Sequence, residues 1–215
     1  MTDTWADLTH FAIGLFALLN PFTALPYVMG VASPGGGRAI LTMALSATAT
    51  MIAVLLAMHI AGEAVLIALG TSLPSFQVGG GLVILLTGLS MLKDAPATHP
   101  AALAAEAGKG RGHYIRLGVT PLGIPMLAGA GSITKVILET QPHYGLDDAV
   151  LLGAVIVAVC LLSGVIIAAS AVLMRLLGAA FFAIMARLAG LVIVAVGVEV
   201  MSRGVMAHAR NFAGG

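Results

Sequence analysis

The sequence predicts an all-α integral membrane protein whose six transmembrane helices form two inverted three-helix repeats, with the first and fourth helices broken. Of its 215 residues, 60% are hydrophobic and only 9% are charged, whereas a soluble domain is about half apolar and about a quarter charged. Apolar runs of about 20 residues, long enough to cross the hydrocarbon core of a bilayer, recur along the whole chain. Short segments of the first half also return, in the same order, in the second half.

Six apolar spans are separated by breaker clusters or by polar stretches. The first span ends at the cluster Ser33-Pro34-Gly35, and a turn from Gly70 to Pro74 precedes the third. The one long polar stretch, 93–116, is predicted to be a solvated cytoplasmic loop. It divides a single membrane domain, 1–215, into repeats at about 9–92 and 117–206. The predicted spans are 11–31, 39–60 (with an extension as far as 69), 75–92, 117–138, 149–174 and 186–206.

The distribution of lysine and arginine predicts the orientation. Seven of these residues fall on the side of the 1–2, 3–4 and 5–6 loops, and three fall on the side of the two termini. Because cytoplasmic loops are enriched in lysine and arginine, both termini are expected outside the cytoplasm. The first ten residues carry two aspartates and no lysine or arginine, so the first span is expected to be a retained helix rather than a signal peptide.

Composition and motifs also argue against several classes of partner and function. A net charge of +1 gives no reason to expect nucleic acid as a partner. The single cysteine, Cys160, lies in an apolar run and is interpreted as a packing residue. No phosphate-binding glycine motif, catalytic triad or set of metal ligands stands out, so an enzyme and a resident cofactor are not expected.

An internal repeat is visible at an offset of 109 residues. The four residues 81–84 return as 190–193, and Gly88 returns as Gly197 at the same offset. Since each half holds three spans, an odd number, the two halves must insert in opposite directions. Inverted repeats of this kind are a common plan of secondary transporters.

Two spans are interrupted at corresponding places, by Asn20-Pro21 with Pro26 in span one and by Thr120-Pro121 with Pro125 in span four. A proline inside a helix removes a backbone donor and clashes with the preceding turn. Freed backbone groups are tolerated inside a membrane only where protein or a wet cavity covers them, so paired breaks predict a binding site, with ordinary proline kinks as the alternative. The predicted substrate-binding residues are Asn20, Pro21, Thr23, Pro26, Thr120, Pro121, Gly123, Pro125, Gly129, Gly131 and Ser132.

Ionisable residues within spans are rare and costly, and they are functional candidates for that reason. Glu199 lies in span six at the position that corresponds to Ser90 in span three. It is a candidate for coupling Na⁺ or H⁺, with an end-of-helix carboxylate as the alternative. Lys135 and Glu139, four residues apart, are predicted to form a pair.

Three blocks of sequence resemble the MarC family of bacterial membrane proteins, which is grouped with neutral amino acid transporters. The blocks read LNPFTALP at 19–26, LPSFQVGGGL at 73–82 and TPLGIP at 120–125. The resemblance covers about 11–206 and implies a multi-pass inner-membrane protein with six spans and both termini in the periplasm. It also implies an acidic residue near Ser90 and an amide near Glu199, whereas in this chain the carboxylate is in the sixth span instead of the third.

The function expected from breaks, repeat and resemblance is secondary transport of a small neutral solute, a neutral amino acid in the first place, by alternating access. The alternatives are a membrane-embedded accessory protein without transport and a channel for small solutes or cations. A shared, polar-lined cavity at both breaks would favour transport. The expected partners are the solute and the lipid bilayer, and assembly of several copies of the chain is left open.

Overall fold

The computed structural model describes residues 4–32, 36–68, 70–93, 110–140 and 146–213. Within these ranges nearly all of the chain is helical, and there is no strand. The helices are α1 (Thr4–Leu19), α2 (Pro21–Val31), α3 (Gly37–Ala68), α4 (Leu73–Lys93), α5 (Arg111–Leu117), α6 (Ala130–Glu139), α7 (Leu146–Ala168) and α8 (Ser170–Ala213), and an irregular π-type segment, Gly118–Leu127, joins α5 to α6.

Among the described residues, five stretches are long and apolar enough to cross a membrane. They are Asp7–Val31, Gly37–Gly62, Leu73–Leu92, Asp148–Ala168 and Ala180–Arg210. A sixth crossing is present if the bent pair Arg111–Leu127 and Ala130–Glu139, whose halves meet at 63°, counts as one span. The all-α membrane class predicted from the sequence is therefore confirmed.

Large apolar side chains cover the outside of this bundle. Ile60 is 83% exposed and Leu176 is 75% exposed. Such a surface would associate in water, whereas hydrocarbon solvates it without cost. The main buried cluster lies inside, where α1, α2, α3 and α7 meet, and it contains Cys160. This agrees with the interpretation of that cysteine as a packing residue.

Three boundaries differ from the prediction. The helix of span four begins at Arg111, so residues 111–116 of the predicted loop are helical, while 94–109 lie outside the described residues. Span five ends at Ala168 rather than at 174, and α8 begins at once with Ser170. Gly178, at φ 73°, then breaks the first turns of α8 from the rest, because glycine adopts this left-handed conformation without steric cost.

Helices α4 and α8 pack against each other more extensively than any other pair. Their backbones meet at glycines: a Cβ atom on Gly81 would lie 2.6 Å from the nitrogen of Met201, and one on Gly88 would lie 2.7 Å from that of Val194. Small residues that let membrane helices approach closely explain this contact. Gly81 faces Gly197 and Gly88 faces Gly190. At the repeat offset of 109 residues, Gly81 corresponds to Gly190 and Gly88 corresponds to Gly197, so the two contacts are equivalent under the internal repeat. The inverted arrangement of the two repeats stays a prediction.

Candidate functional site

The first break lies at Asn20, between α1 and α2. The backbone N–H of Asn20 closes the last turn of α1 by donating to the carbonyl of Phe16 at 3.0 Å. Asn20 then adopts a left-handed conformation, φ 39° and ψ 65°, which asparagine tolerates better than most residues. Pro21 starts α2 at the one helical position where its missing N–H costs nothing. The local sequence thus stops one helix and starts the next within a single span.

The side chain of Asn20 has an unmet need for a hydrogen bond. Asn20 is 4% exposed, and its Oδ1 atom is buried without a hydrogen-bond partner among the described residues. Its Nδ2 atom lies 3.9 Å from the sulfur of Met91, and a thioether sulfur is a weak acceptor. Since an unsatisfied buried acceptor costs about 1–3 kcal/mol, a ligand that donates to Oδ1 would recover this free energy.

A cavity of 290 Å³ opens beside this break. At about 30 Å³ per water molecule, its volume corresponds to roughly ten waters, or to a small solute with part of its hydration. The cavity lies where the first break meets α4, α8 and the end of the π-type segment. Its walls are formed by Leu18, Asn20, Thr23, Thr87, Ser90, Met91, Met126 and Ala186.

The polar groups of the cavity are neutral, and their oxygens are acceptors. Thr23 donates its hydroxyl proton to the carbonyl of Asn20 at 2.9 Å. Thr87 donates to the carbonyl of Val83 at 2.8 Å, and Ser90 to that of Thr87 at 2.8 Å. With their protons committed to backbone carbonyls, the three hydroxyls can only offer lone pairs to a ligand. Together with Oδ1 of Asn20 they favour a solute that donates hydrogen bonds.

The second break is more irregular than the first. Thr120 and Ile124 have extended backbone, at φ −138° and −129°, and each precedes a proline, which disfavours the helical conformation at that position. Both of these bonds to proline are cis. The chain becomes helical again after Gly129, which is extended at φ −90° and ψ 179°. The predicted position of this break is therefore the observed one.

Most residues of the second break serve packing. A Cβ atom on Gly123 would lie 2.9 Å from the side chain of Thr50 in α3, and one on Gly131 would lie 3.2 Å from that of Leu18. Ser132 donates to the carbonyl of Gly129 at 2.9 Å. Seven predicted residues of this break do not border the 290 Å³ cavity: Thr120, Pro121, Gly123, Pro125, Gly129, Gly131 and Ser132. The second break reaches the cavity only through Met126.

Of the residues predicted from the first break, Asn20 and Thr23 line the cavity, whereas Pro21 and Pro26 do not. Pro26 lies inside α2, where its missing N–H leaves the carbonyl of Phe22 without its helical donor. Both prolines therefore shape the break rather than line the cavity.

The ionisable residues singled out from the sequence, Glu199, Lys135 and Glu139, do not line this cavity. Glu199 accepts a hydrogen bond from Nε of Arg203 at 2.7 Å, and the two side chains are 61% and 67% exposed. Lys135 and Glu139 form the predicted pair at 2.9 Å. Among the described residues no group of three or more His, Cys, Asp or Glu side chains could hold a metal ion.

Six cavity residues were missed by the sequence reasoning: Leu18, Thr87, Ser90, Met91, Met126 and Ala186. Ser90 carried a signal, because it corresponds to Glu199 in the internal repeat and to an acidic position in the resembled family. Thr87 carried a weaker one, since it lies on the same face of α4, three residues before Ser90.

The fold and the broken helices define a multi-pass α-helical membrane protein with a neutral polar cavity at a helix break. The family model described as "MarC family integral membrane protein" matches residues 5–208. The chain therefore belongs to the MarC family.

Relatives match over nearly their full length. A "UPF0056 membrane protein" of Methanocaldococcus jannaschii is 29% identical over 93% of this chain and 97% of the relative. One of Aquifex aeolicus is 27% identical over 87% and 86%, respectively. The "UPF0056 inner membrane protein MarC" of Salmonella typhimurium is 26% identical over 96% and 97%. No solved structure matches the chain with significance.

Proposed function

We propose that this protein is a secondary transporter of a small neutral solute, a neutral amino acid in the first place, and that it works in the bacterial inner membrane. The observation that carries the proposal is the unpartnered Oδ1 atom of Asn20, buried at a helix break beside a 290 Å³ cavity. The inner-membrane location is supported by the name of the Salmonella relative, an inner membrane protein. We assign no catalytic chemistry to the chain.

The cavity suits a small solute without net charge. No charged side chain is among the described residues that line it, and an ion in such a place would lack a counter-charge. An ammonium group could donate to Oδ1 of Asn20 and to the hydroxyl oxygens of Thr87 and Ser90. The amino end of α2, whose positive dipole end lies at the break, supports binding of a carboxylate in the same solute.

Alternating access is supported by the way the halves meet. The α4–α8 contact relates the two halves by an exchange of equivalent glycines, as an inverted repeat requires. The cavity lies beside this contact and beside a broken span, so rocking of one half against the other would change the side from which it opens. A Na⁺ or H⁺ gradient would supply the energy. We give Glu199 no role in solute binding, because it lies outside the cavity and pairs with Arg203.

Thermal unfolding of the purified protein in detergent tests solute binding. A solute that binds only the folded state raises the midpoint of unfolding by mass action, and at 100 times its Kd it adds about 2.7 kcal/mol. We expect small neutral amino acids to raise the midpoint, and the experiment is run with and without sodium. Asn20→Gly and Ser90→Ala should reduce the shift. Ser163→Ala is the matched control, because Ser163 is buried in α7 and donates only to its own helix.

Uptake into proteoliposomes then separates the alternatives. A transporter accumulates the solute against its gradient when a sodium or pH gradient is imposed. Flux that only follows the gradient of the solute would indicate a channel. No binding and no uptake would contradict transport and leave an accessory role in the membrane.

A further inference from the structure

A second cavity, of 630 Å³, lies between the first turns of α3 and helix α5. It shares no residue with the cavity at the first break, and the proposed transport does not use it. Two arginines from different helices stand at its rim, and leucines of α3 form part of its wall. The lining residues are Arg38, Ala39, Leu41, Thr42, Leu45, Arg111 and Tyr114.

The charge of this cavity is uncompensated. Arg38 and Arg111 are both exposed, and neither guanidinium has an ion-pair partner among the residues that the structure describes. No carboxylate is among the described residues that line the cavity. The planar guanidinium group matches the geometry of a phosphate and binds it through two parallel hydrogen bonds. A pair of them on facing helices therefore favours a phosphate group.

An apolar track leads away from the arginines. Leu41 and Leu45 follow Arg38 by three and seven residues and lie on the same face of α3. They are 50% and 62% exposed, and they belong to the stretch Gly37–Gly62 that is able to cross a membrane. The hydroxyl of Thr42 between them donates to the carbonyl of Arg38 at 2.8 Å, so its proton is not available to a ligand. This track suits an acyl chain and offers nothing to a hydrated ion.

We infer that this cavity binds an anionic phospholipid, with its phosphate between Arg38 and Arg111 and one acyl chain along Leu41 and Leu45. Basic pockets between transmembrane helices bind anionic lipid head groups in this manner. Tyr114 lies at the same rim, and tyrosine is enriched at the level of lipid head groups. A free phosphate ion would use the arginines alone and gain nothing from the leucines.

Native mass spectrometry of the purified protein tests the site with two lipids of identical chains, phosphatidylglycerol and phosphatidylcholine. We expect tighter binding of phosphatidylglycerol. Each of Arg38→Gln and Arg111→Gln should weaken it about fivefold, and the double variant about 25-fold. Arg116→Gln is the matched control, because it removes the same charge from the same helix α5 at an exposed position outside the cavity. It should bind as the unchanged protein does.

Two further measurements distinguish the lipid from a free anion. Inorganic phosphate and glycerol phosphate should bind far more weakly than phosphatidylglycerol. Leu45→Ser should weaken binding of the lipid but leave binding of phosphate unchanged. The inference would be overturned if the two lipids bound equally, or if the double arginine variant kept full phosphatidylglycerol binding. It would also be overturned if Arg116→Gln lost as much lipid binding as the cavity variants, or if phosphate bound as tightly as the lipid. Circular dichroism confirms that each variant is folded before it is compared.

Discussion

Asn20 combines a backbone conformation and a side-chain demand that have separate physical causes. Its φ of 39° favours asparagine or glycine. Its Oδ1 atom, buried without a partner among the described residues, has no part in that conformation. The conformation explains why the chain can bend here, whereas the unpartnered oxygen is the feature on which the proposed solute binding depends. Substitutions can separate the two.

Replacement of Asn20 by glycine or by alanine should have different effects on stability in the absence of solute. Glycine keeps the left-handed conformation and removes a buried, unsatisfied acceptor, so Asn20→Gly should be at least as stable as the unchanged protein. Alanine in this conformation costs about 1–2 kcal/mol, so Asn20→Ala should unfold at a lower temperature. Thermal unfolding in detergent measures both. A glycine variant less stable than the unchanged protein would show that the side-chain amide of Asn20 already makes stabilising contacts. A glycine variant less stable than the alanine variant would contradict the left-handed conformation.

A second prediction at this scale concerns Glu199. The glutamate pairs with Arg203 on the surface of α8, within the stretch Ala180–Arg210, and it does not line the cavity. Glu199→Gln should therefore leave the solute-induced shift nearly unchanged. Uptake measured at several sodium concentrations and pH values provides the check. Loss of the ion dependence in this variant would restore the coupling role that its place in the sequence suggests.

Among the elements, the breaks were predictable and the cavity walls were not. Proline acts on its own residue and on the one before it, so the interruptions at Asn20 and at Thr120 to Pro125 follow from local chemistry. Helix α4, in contrast, is apolar on nearly all sides, and a helix of that kind carries no periodic signal of which side faces its neighbours. Thr87 and Ser90 could be assigned to a cavity only once the packing of α4 was known.

The contact between α4 and α8 depends on glycine at defined positions. A Cβ atom on Gly81 would lie 2.6 Å from a backbone nitrogen of α8, whereas one on Gly79 would meet nothing within 4 Å. Gly81→Ala should therefore destabilise the protein by about 1–3 kcal/mol through overpacking. Gly79→Ala, two residues away, should be neutral or slightly stabilising, since alanine is the better helix former. Thermal unfolding of both compares the two positions, and equal effects would contradict the close packing.

At the scale of the whole molecule, the number of crossings depends on the bent pair of α5 and α6. Among the described residues five stretches are long and apolar enough to cross, and this pair with its 63° bend would be the sixth. An even number of crossings puts both termini on one side, and an odd number puts them on opposite sides. The sequence predicts six, because lysine and arginine accumulate on the side away from the termini.

Reporter fusions at the two ends measure this directly. Alkaline phosphatase, which is active only outside the cytoplasm, should be active when it is fused after residue 213. A thiol reagent that cannot cross the membrane should label a cysteine introduced at Asp7, while Cys160, fully buried, should not react and needs no replacement. An inactive C-terminal fusion together with a labelled residue 7 would mean that the bent pair enters and leaves on the same side.

The glycine contact between α4 and α8 also has an evolutionary consequence. The surface that α4 presents to α8 carries the two glycines, Gly81 and Gly88, that α8 presents in return as Gly190 and Gly197. A second, antiparallel copy of α4 could therefore make both contacts that α8 makes. A gene encoding only the first half would specify a product able to pair with itself in opposite orientations. Duplication and fusion of such a gene would yield one polypeptide in which the ancestral dimer interface survives as the contact between α4 and α8.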